Sequence, residues 1–249
     1  MKTRQERKKL AKEAIGAQRR VGILLLFVFV LKVLALLVIC GVLLRWLGWL
    51  PSVLVYWAAL LALLVLAVGV TGEYIKIYRG ESTRVMALYA DFKTNFKRKL
   101  GGMLWMLLWL MLWALISVPV ILLAVFLMRR FGRGTKLLVL VLMGPVHLAA
   151  LVPAIIKGLS YFMTPYLLAD QPDLTAREAL RLSKQMMNGR KKELFVMMLS
   201  FIGWMLLSIL TLGILYVVYV GPYMYTTYAG FYSEVSGKAL AEEEEVKAE

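Results

Sequence analysis

Apolar residues fill 21–44 with Lys32 as the one charge among them, and they return over 52–71, 101–128, 137–156, 194–212 and 214–232. A helix rises 1.5 Å per residue, so about 20 apolar residues span the hydrocarbon of a bilayer, and each run is near or above that length. Within each hairpin the chain turns tightly. Arg45-Trp46-Leu47-Gly48-Trp49-Leu50-Pro51 places tryptophan at interfacial depth, and Leu212-Gly213 separates the last two runs. The pattern therefore predicts an all-α, polytopic transmembrane bundle of six spans arranged as three hairpins, over 21–72, 101–156 and 194–232. Pro119 should kink the third span, and Gly144-Pro145 and Pro153 should bend the fourth.

The polar gaps have their own periodicity. Over 73–100, Val85, Leu88, Tyr89, Phe92 and Phe96 recur at helical spacing, which predicts an amphipathic helix on the inner surface. In the loop 157–193, Thr175-Ala176-Arg177-Glu178 has the spacing of a capping box, and Asn188-Gly189 supplies a stop. The helix between them carries Ala179, Leu180, Leu182, Ser183 and Met186 on one side and Arg177, Arg181 and Lys184 on the other, so it too should lie at the membrane surface. A basic helix over 1–20, with Leu10, Ala14, Ala17 and Val21 as its stripe, and an acidic, solvated tail over 233–249 complete the single membrane domain. A shift of 93 residues lays Lys97-Arg98-Lys99 on Arg190-Lys191-Lys192 and Asn95 on Asn188, which reads as an internal repeat of surface helix, basic triplet and hairpin.

Composition reinforces this picture and charge orients it. The 249 residues are 61% hydrophobic, which a soluble fold with a polar shell cannot accommodate. The net charge of +15 would suggest nucleic acid on a soluble protein, but here the cations occupy the gaps between apolar runs, where they report orientation and anionic lipid. With the N-terminus and C-terminus cytoplasmic, every basic residue falls inside except Lys32, Arg45, Arg129, Arg130, Arg133 and Lys136. All fifteen acids fall inside as well. Cys40 is the single cysteine, so no internal disulfide or multi-cysteine metal site is available.

Few residues carry candidate chemistry. Lys32 sits about 16 Å of helix from either end of its span, and two readings stand beside each other: a site for an anionic group, or a shifted span that lets the ammonium reach the inner interface. Tyr216, Tyr219, Tyr223 and Thr227 share one stripe of the sixth span beside Gly221-Pro222, which would suit a substrate-lined path. The same hydroxyls also suit an aromatic belt and contacts between helices. His147 has no acidic or thiol neighbour in its span and reads as a packed residue. Asp170-Gln171-Pro172-Asp173 reads as a turn. There is no Ser-His-Asp arrangement, metal-ligand cluster or phosphate loop, so neither an enzyme nor a cofactor is expected.

The segments Leu182-Ser183-Lys184-Gln185-Met186-Met187-Asn188-Gly189-Arg190-Lys191-Lys192-Glu193-Leu194-Phe195, Leu210-Thr211-Leu212-Gly213-Ile214 and Gly221-Pro222-Tyr223 through Ala229-Gly230-Phe231-Tyr232 resemble the domain of unknown function 975 family of bacterial integral membrane proteins. The resemblance is specific over the last third and extends to the rest in layout. It implies a multi-pass protein of the bacterial plasma membrane and no assigned catalytic residues.

The expectation is a non-catalytic scaffold or accessory subunit whose partners are the bilayer, anionic lipids and another membrane protein or a second copy of itself. Nucleic acid is not among them. Arg177, Arg181, Lys184, Arg190, Lys191 and Lys192, with Lys97, Arg98 and Lys99, form the candidate lipid-binding set. The alternative is a transporter or channel for a small or lipid-like molecule along a path between spans one and six, through Lys32, Tyr216, Tyr219, Tyr223 and Thr227.

Overall fold

The computed structural model describes residues 3–89, 95–130 and 136–248, and the described chain is helical with no strands. Helix α1 (Arg4–Ala17) opens with a capping box: Thr3 Oγ1 accepts from the Glu6 amide, and Glu6 returns a carboxylate to the Thr3 amide at 2.7 Å. Its buried stripe is Arg7, Ala11 and Ile15 rather than the expected Leu10, Ala14 and Ala17. Helices α2 (Arg19–Leu47) and α3 (Trp49–Arg79) form the first hairpin about Gly48, whose φ of 83° is open to glycine without strain.

Helix α3 runs on to Arg79 and stops where Gly80 turns left-handed, its N–H reaching back to the Ile77 and Lys76 carbonyls. This corrects the surface helix expected over 73–100. Its first residues belong to α3, a 3-10 turn follows over Val85–Tyr89, and Phe96 already starts α4 (Phe96–Ala114). Phe92, part of the expected stripe, lies outside the described residues. The first copy of the expected repeat thus shares the basic step with the second but, where described, has a 3-10 turn in place of its helix.

After α4 a single 3-10 turn, Leu115–Ser117, leads to α5 (Val118–Arg130). Pro119 accounts for the break, because its ring cannot donate to the preceding turn and collides with it. Helix α6 (Lys136–Tyr161) carries Pro145 and Pro153 within one continuous helix. The loop expected over 157–193 is largely helical: α6 reaches Tyr161, α7 covers Thr164–Asp170, and α8 covers Ala176–Met186. The α8 capping box forms as its spacing predicts, with the Glu178 carboxylate 2.8 Å from the Thr175 amide.

The fifth apolar run splits at Ser200 and Phe201 into α9 (Lys191–Leu199) and α10 (Ile202–Leu210). Leu212 and Gly213, both at positive φ, then reverse the chain. The returning leg begins at Ile214, passes through a π turn over Tyr216–Val220 and continues as α11 (Gly221–Ala248). Pro222 explains the π turn: it lacks the N–H that an α-helix would offer to Val218, and the Gly221 N–H bonds Tyr216 instead. The tail expected over 233–249 is, as far as Ala248, a continuation of that helix.

Among the described residues five helical stretches are long and apolar enough to cross a membrane: Arg19–Trp46, Trp49–Arg79, Phe96–Arg130, Lys136–Asp170 and Lys191–Leu210. The sixth leg is helical but diluted by tyrosine, and it is not among them. It is also the leg most enclosed by protein, with Val220, Thr226, Thr227, Ala229, Phe231 and Tyr232 buried.

The core sits at one end of the bundle. Val68, Tyr74 and Ile77 of α3, Leu167 and Leu168 of α7, Ala179 and Met187 around α8, and Phe231 and Tyr232 of α11 are packed there. Away from it the apolar surface is open, with Leu122, Leu137 and Leu210 each more than 60% exposed. Such a surface belongs in hydrocarbon rather than water.

Candidate functional site

Ion pairs and side-chain hydrogen bonds gather the chain's polar ends at the packed end. Arg7, 1% exposed, donates from Nε to Glu234 of α11 at 2.7 Å and from Nη1 to Glu193 of α9, and its guanidinium lies 5.0 Å over the Phe231 ring. Burial disfavours the Arg7 charge, but the hydrogen bonds and charges of Glu234 and Glu193 outweigh it and hold its pKa above the usual value. Lys8 lies 4.3 Å over Phe201 and is pushed the other way, first by burial and then by Arg4.

A second junction ties α3, α7 and α11. Arg79 grips Asp170 through both nitrogens at 2.6 and 2.8 Å, and Tyr232 donates to the same carboxylate at 2.9 Å. The bidentate fork fixes orientation as well as distance. A third junction caps α7: Arg98 donates to the carbonyls of Leu168, Gln171 and Leu174 at 2.7 to 3.0 Å, which satisfies orphan groups at a helix end.

The predicted basic residues divide between surface and interior. Lys97, Arg177, Arg181, Lys184 and Lys192 are exposed, Arg190 and Lys191 are half-buried, and Lys99 is buried. Arg98 is spent on the end of α7. The apolar face of α8 is filled by the protein, not by lipid: Ala179, Leu182 and Met186 join the core, and Ser183 donates to the Ser160 carbonyl at 3.0 Å. Its basic face points outward, with Arg177 placed 5.2 Å over the Trp105 ring.

The tyrosine stripe of the sixth leg is packed aromatic on aromatic. Tyr219 meets Trp204 at 5.5 Å and Tyr223 at 5.9 Å, Tyr223 meets Phe201 at 5.4 Å, and Thr227 donates to the Tyr223 carbonyl. On the other side Tyr225 stacks on Tyr74 at 5.1 Å, and Tyr74 donates to the Gly22 carbonyl at 2.8 Å.

Lys32 lies elsewhere. It lines a cleft of about 430 Å³ between α2 and α3, with Ala35, Ile39, Val55, Ala59 and Ala62 along its walls and Tyr89 at one end. None of the sixth-leg tyrosines lines this cleft. The Lys32 ammonium is 5.2 Å over the Tyr89 ring. Such a contact offsets roughly 0.5–2 kcal/mol, against about 2.5–3.5 kcal/mol for a lysine at the centre of a spanning helix.

The family model described as "Protein of unknown function (DUF975)" matches residues 1–239, nearly the whole chain. The protein belongs to the DUF975 family. No curated protein and no solved structure matches it. Among the described residues of this DUF975 chain, no three His, Cys, Asp or Glu side chains come together as metal ligands would.

Sequence reasoning missed Arg7, Asp170 and Tyr232. Arg7 had a legible signal, since it stands four and eight residues before Ala11 and Ile15 on one helical face. Asp170 and Tyr232 had none, because their meeting depends on two helices far apart in the chain.

Proposed function

We propose that this DUF975 protein crosses the bacterial plasma membrane six times with both ends cytoplasmic. In this reading it is a non-catalytic scaffold or accessory subunit whose basic inner face holds anionic lipid and a partner membrane protein. The observation that carries the reading is the outward basic face of α8. Arg177, Arg181 and Lys184 are exposed while the helix is pinned by its apolar side to the core, so the cations are presented on a rigid support. Lys97 and Lys192 extend the same end of the bundle, and each cation near an anionic leaflet contributes about 1 kcal/mol. What supports counting the tyrosine-rich leg as a crossing is that Glu234 on α11 and Glu193 at the start of α9 both meet Arg7.

The transport reading has one observation in its favour, the adjacent irregularities at Ser200–Phe201 and at Tyr216–Val220. Ring-on-ring packing of Trp204, Tyr219, Tyr223 and Phe201 there argues for a closed support rather than a path.

Native mass spectrometry after mild detergent extraction tests the proposal. Several retained anionic lipids, with a stoichiometric second protein, are expected. The variant R177Q/R181Q/K184Q/K192Q should lose most of those lipids while folding normally. A bare monomer carrying one small non-lipid molecule would overturn the scaffold in favour of transport.

A further inference from the structure

The cleft between α2 and α3 is a different place from the basic end, and its chemistry is unlike the rest of the surface. Its walls are apolar, and Ala35, Ala59 and Ala62 supply the space: positions where neighbouring turns carry Leu, Ile or Val hold methyl groups instead. The volume, about 430 Å³, lies within the range of sites that enclose a small molecule or chain. Among the described residues a single charged side chain lines it, Lys32, and Lys32 forms no ion pair with another of them. Side chains on a helix lean toward its N-terminus, so the ammonium reaches along α2 toward the packed end, where Tyr89 stands. The aromatic face covers part of the cost of that charge, and an anion at the ammonium would cover more of it.

We propose that the α2/α3 cleft is a phospholipid site: one acyl chain of an anionic phospholipid lies between the two helices, and its phosphate rests on the Lys32 ammonium beside Tyr89. Both walls belong to helices long and apolar enough to lie in hydrocarbon, so a membrane lipid reaches the cleft without leaving the bilayer. Charge selects the head group and the alanines admit the chain. This site is independent of the surface cations on α8, and either can fail alone.

The experiment compares the wild-type protein with K32M, A62F and R181Q/K184Q. Each is equilibrated in mild detergent with equal amounts of phosphatidylglycerol and phosphatidylethanolamine of identical chains, and bound lipid is counted by native mass spectrometry. The wild type should retain one tightly held phospholipid, with phosphatidylglycerol preferred about tenfold, the scale of one charge-assisted contact. K32M should bring the two lipids to near parity, and A62F should remove the tight adduct. R181Q/K184Q should thin the weaker, salt-sensitive lipids and leave the tight one in place. An unchanged head-group preference in K32M would overturn the site, as would a persisting tight adduct in folded A62F. Preferential retention of oleate over phosphatidylglycerol at equal concentration would overturn the choice of occupant. If A62F fails to fold, the K32M ratio decides.

Discussion

Arg7 is the residue on which most depends. A guanidinium 1% exposed is tolerable only because two carboxylates and an aromatic face surround it. Removing the cation takes one charge partner from Glu234, mostly buried, and another from Glu193. Arg7→Met should therefore destabilise the folded protein by on the order of 2–4 kcal/mol, read as a lower unfolding temperature in detergent. Arg7→Lys should recover only part of this, because an ammonium cannot serve two carboxylates from a planar fork. Arg98 follows the same logic with neutral partners: Arg98→Lys should loosen the end of α7, detectable as faster amide exchange over 168–174. Hydropathy treats an arginine as a surface residue, and that is why Arg98 and Lys99 entered the lipid-facing set when one caps a helix and the other is buried. The outward placement of Arg177, Arg181 and Lys184 was legible because a capping box fixes the phase of their helix.

At the scale of elements, the junction of the π turn with α11 shows how two residues shape a helix. A Cβ on Gly221 would stand 2.2 Å from Leu26 Cδ2 and 2.8 Å from the Tyr216 carbonyl oxygen, which is backbone and cannot yield. Gly221→Ala should cost about 1–3 kcal/mol through overpacking against α2, measured by thermal unfolding. Five of the apolar runs and the turns at Gly48 and Leu212-Gly213 were readable because length alone distinguishes a spanning helix and the glycines permit the turn conformations. The surface helix expected over 73–100 was not readable correctly. Periodicity finds an apolar face but does not say whether lipid or protein covers it, and Gly80 stops α3 before the stripe of Val85, Leu88 and Tyr89 begins. The same ambiguity assigned the apolar side of α8 to the membrane when the core occupies it.

The whole molecule is a set of helices fastened at one end and open at the other. Arg7 with Glu193 and Glu234, Arg79 with Asp170 and Tyr232, and Arg98 with the end of α7 hold every hairpin at that end. Side-specific reporters fused to the N-terminus and after residue 248 should therefore read on the same side, which the proposed orientation makes the cytoplasm. Opposite sides would remove the sixth crossing from the proposal. Hydropathy placed the basic residues together, but it could not foresee that the tyrosine-rich leg lies at the centre of the packing, since low hydropathy reads as marginal insertion and not as enclosure.

The partnership of Arg7 with Glu234 joins residues 227 positions apart. During synthesis α1 emerges long before α11, so Arg7 can meet Glu193 once α9 is in place but gains Glu234 only when α11 follows. Closure of the Arg7–Glu234 pair therefore reports that α11 has joined the bundle. A truncated product lacking α11 would leave Arg7 with Glu193 alone and uncover the faces of α1 and α3 that α11 normally packs against, a combination that quality-control proteases can recognise as unfinished.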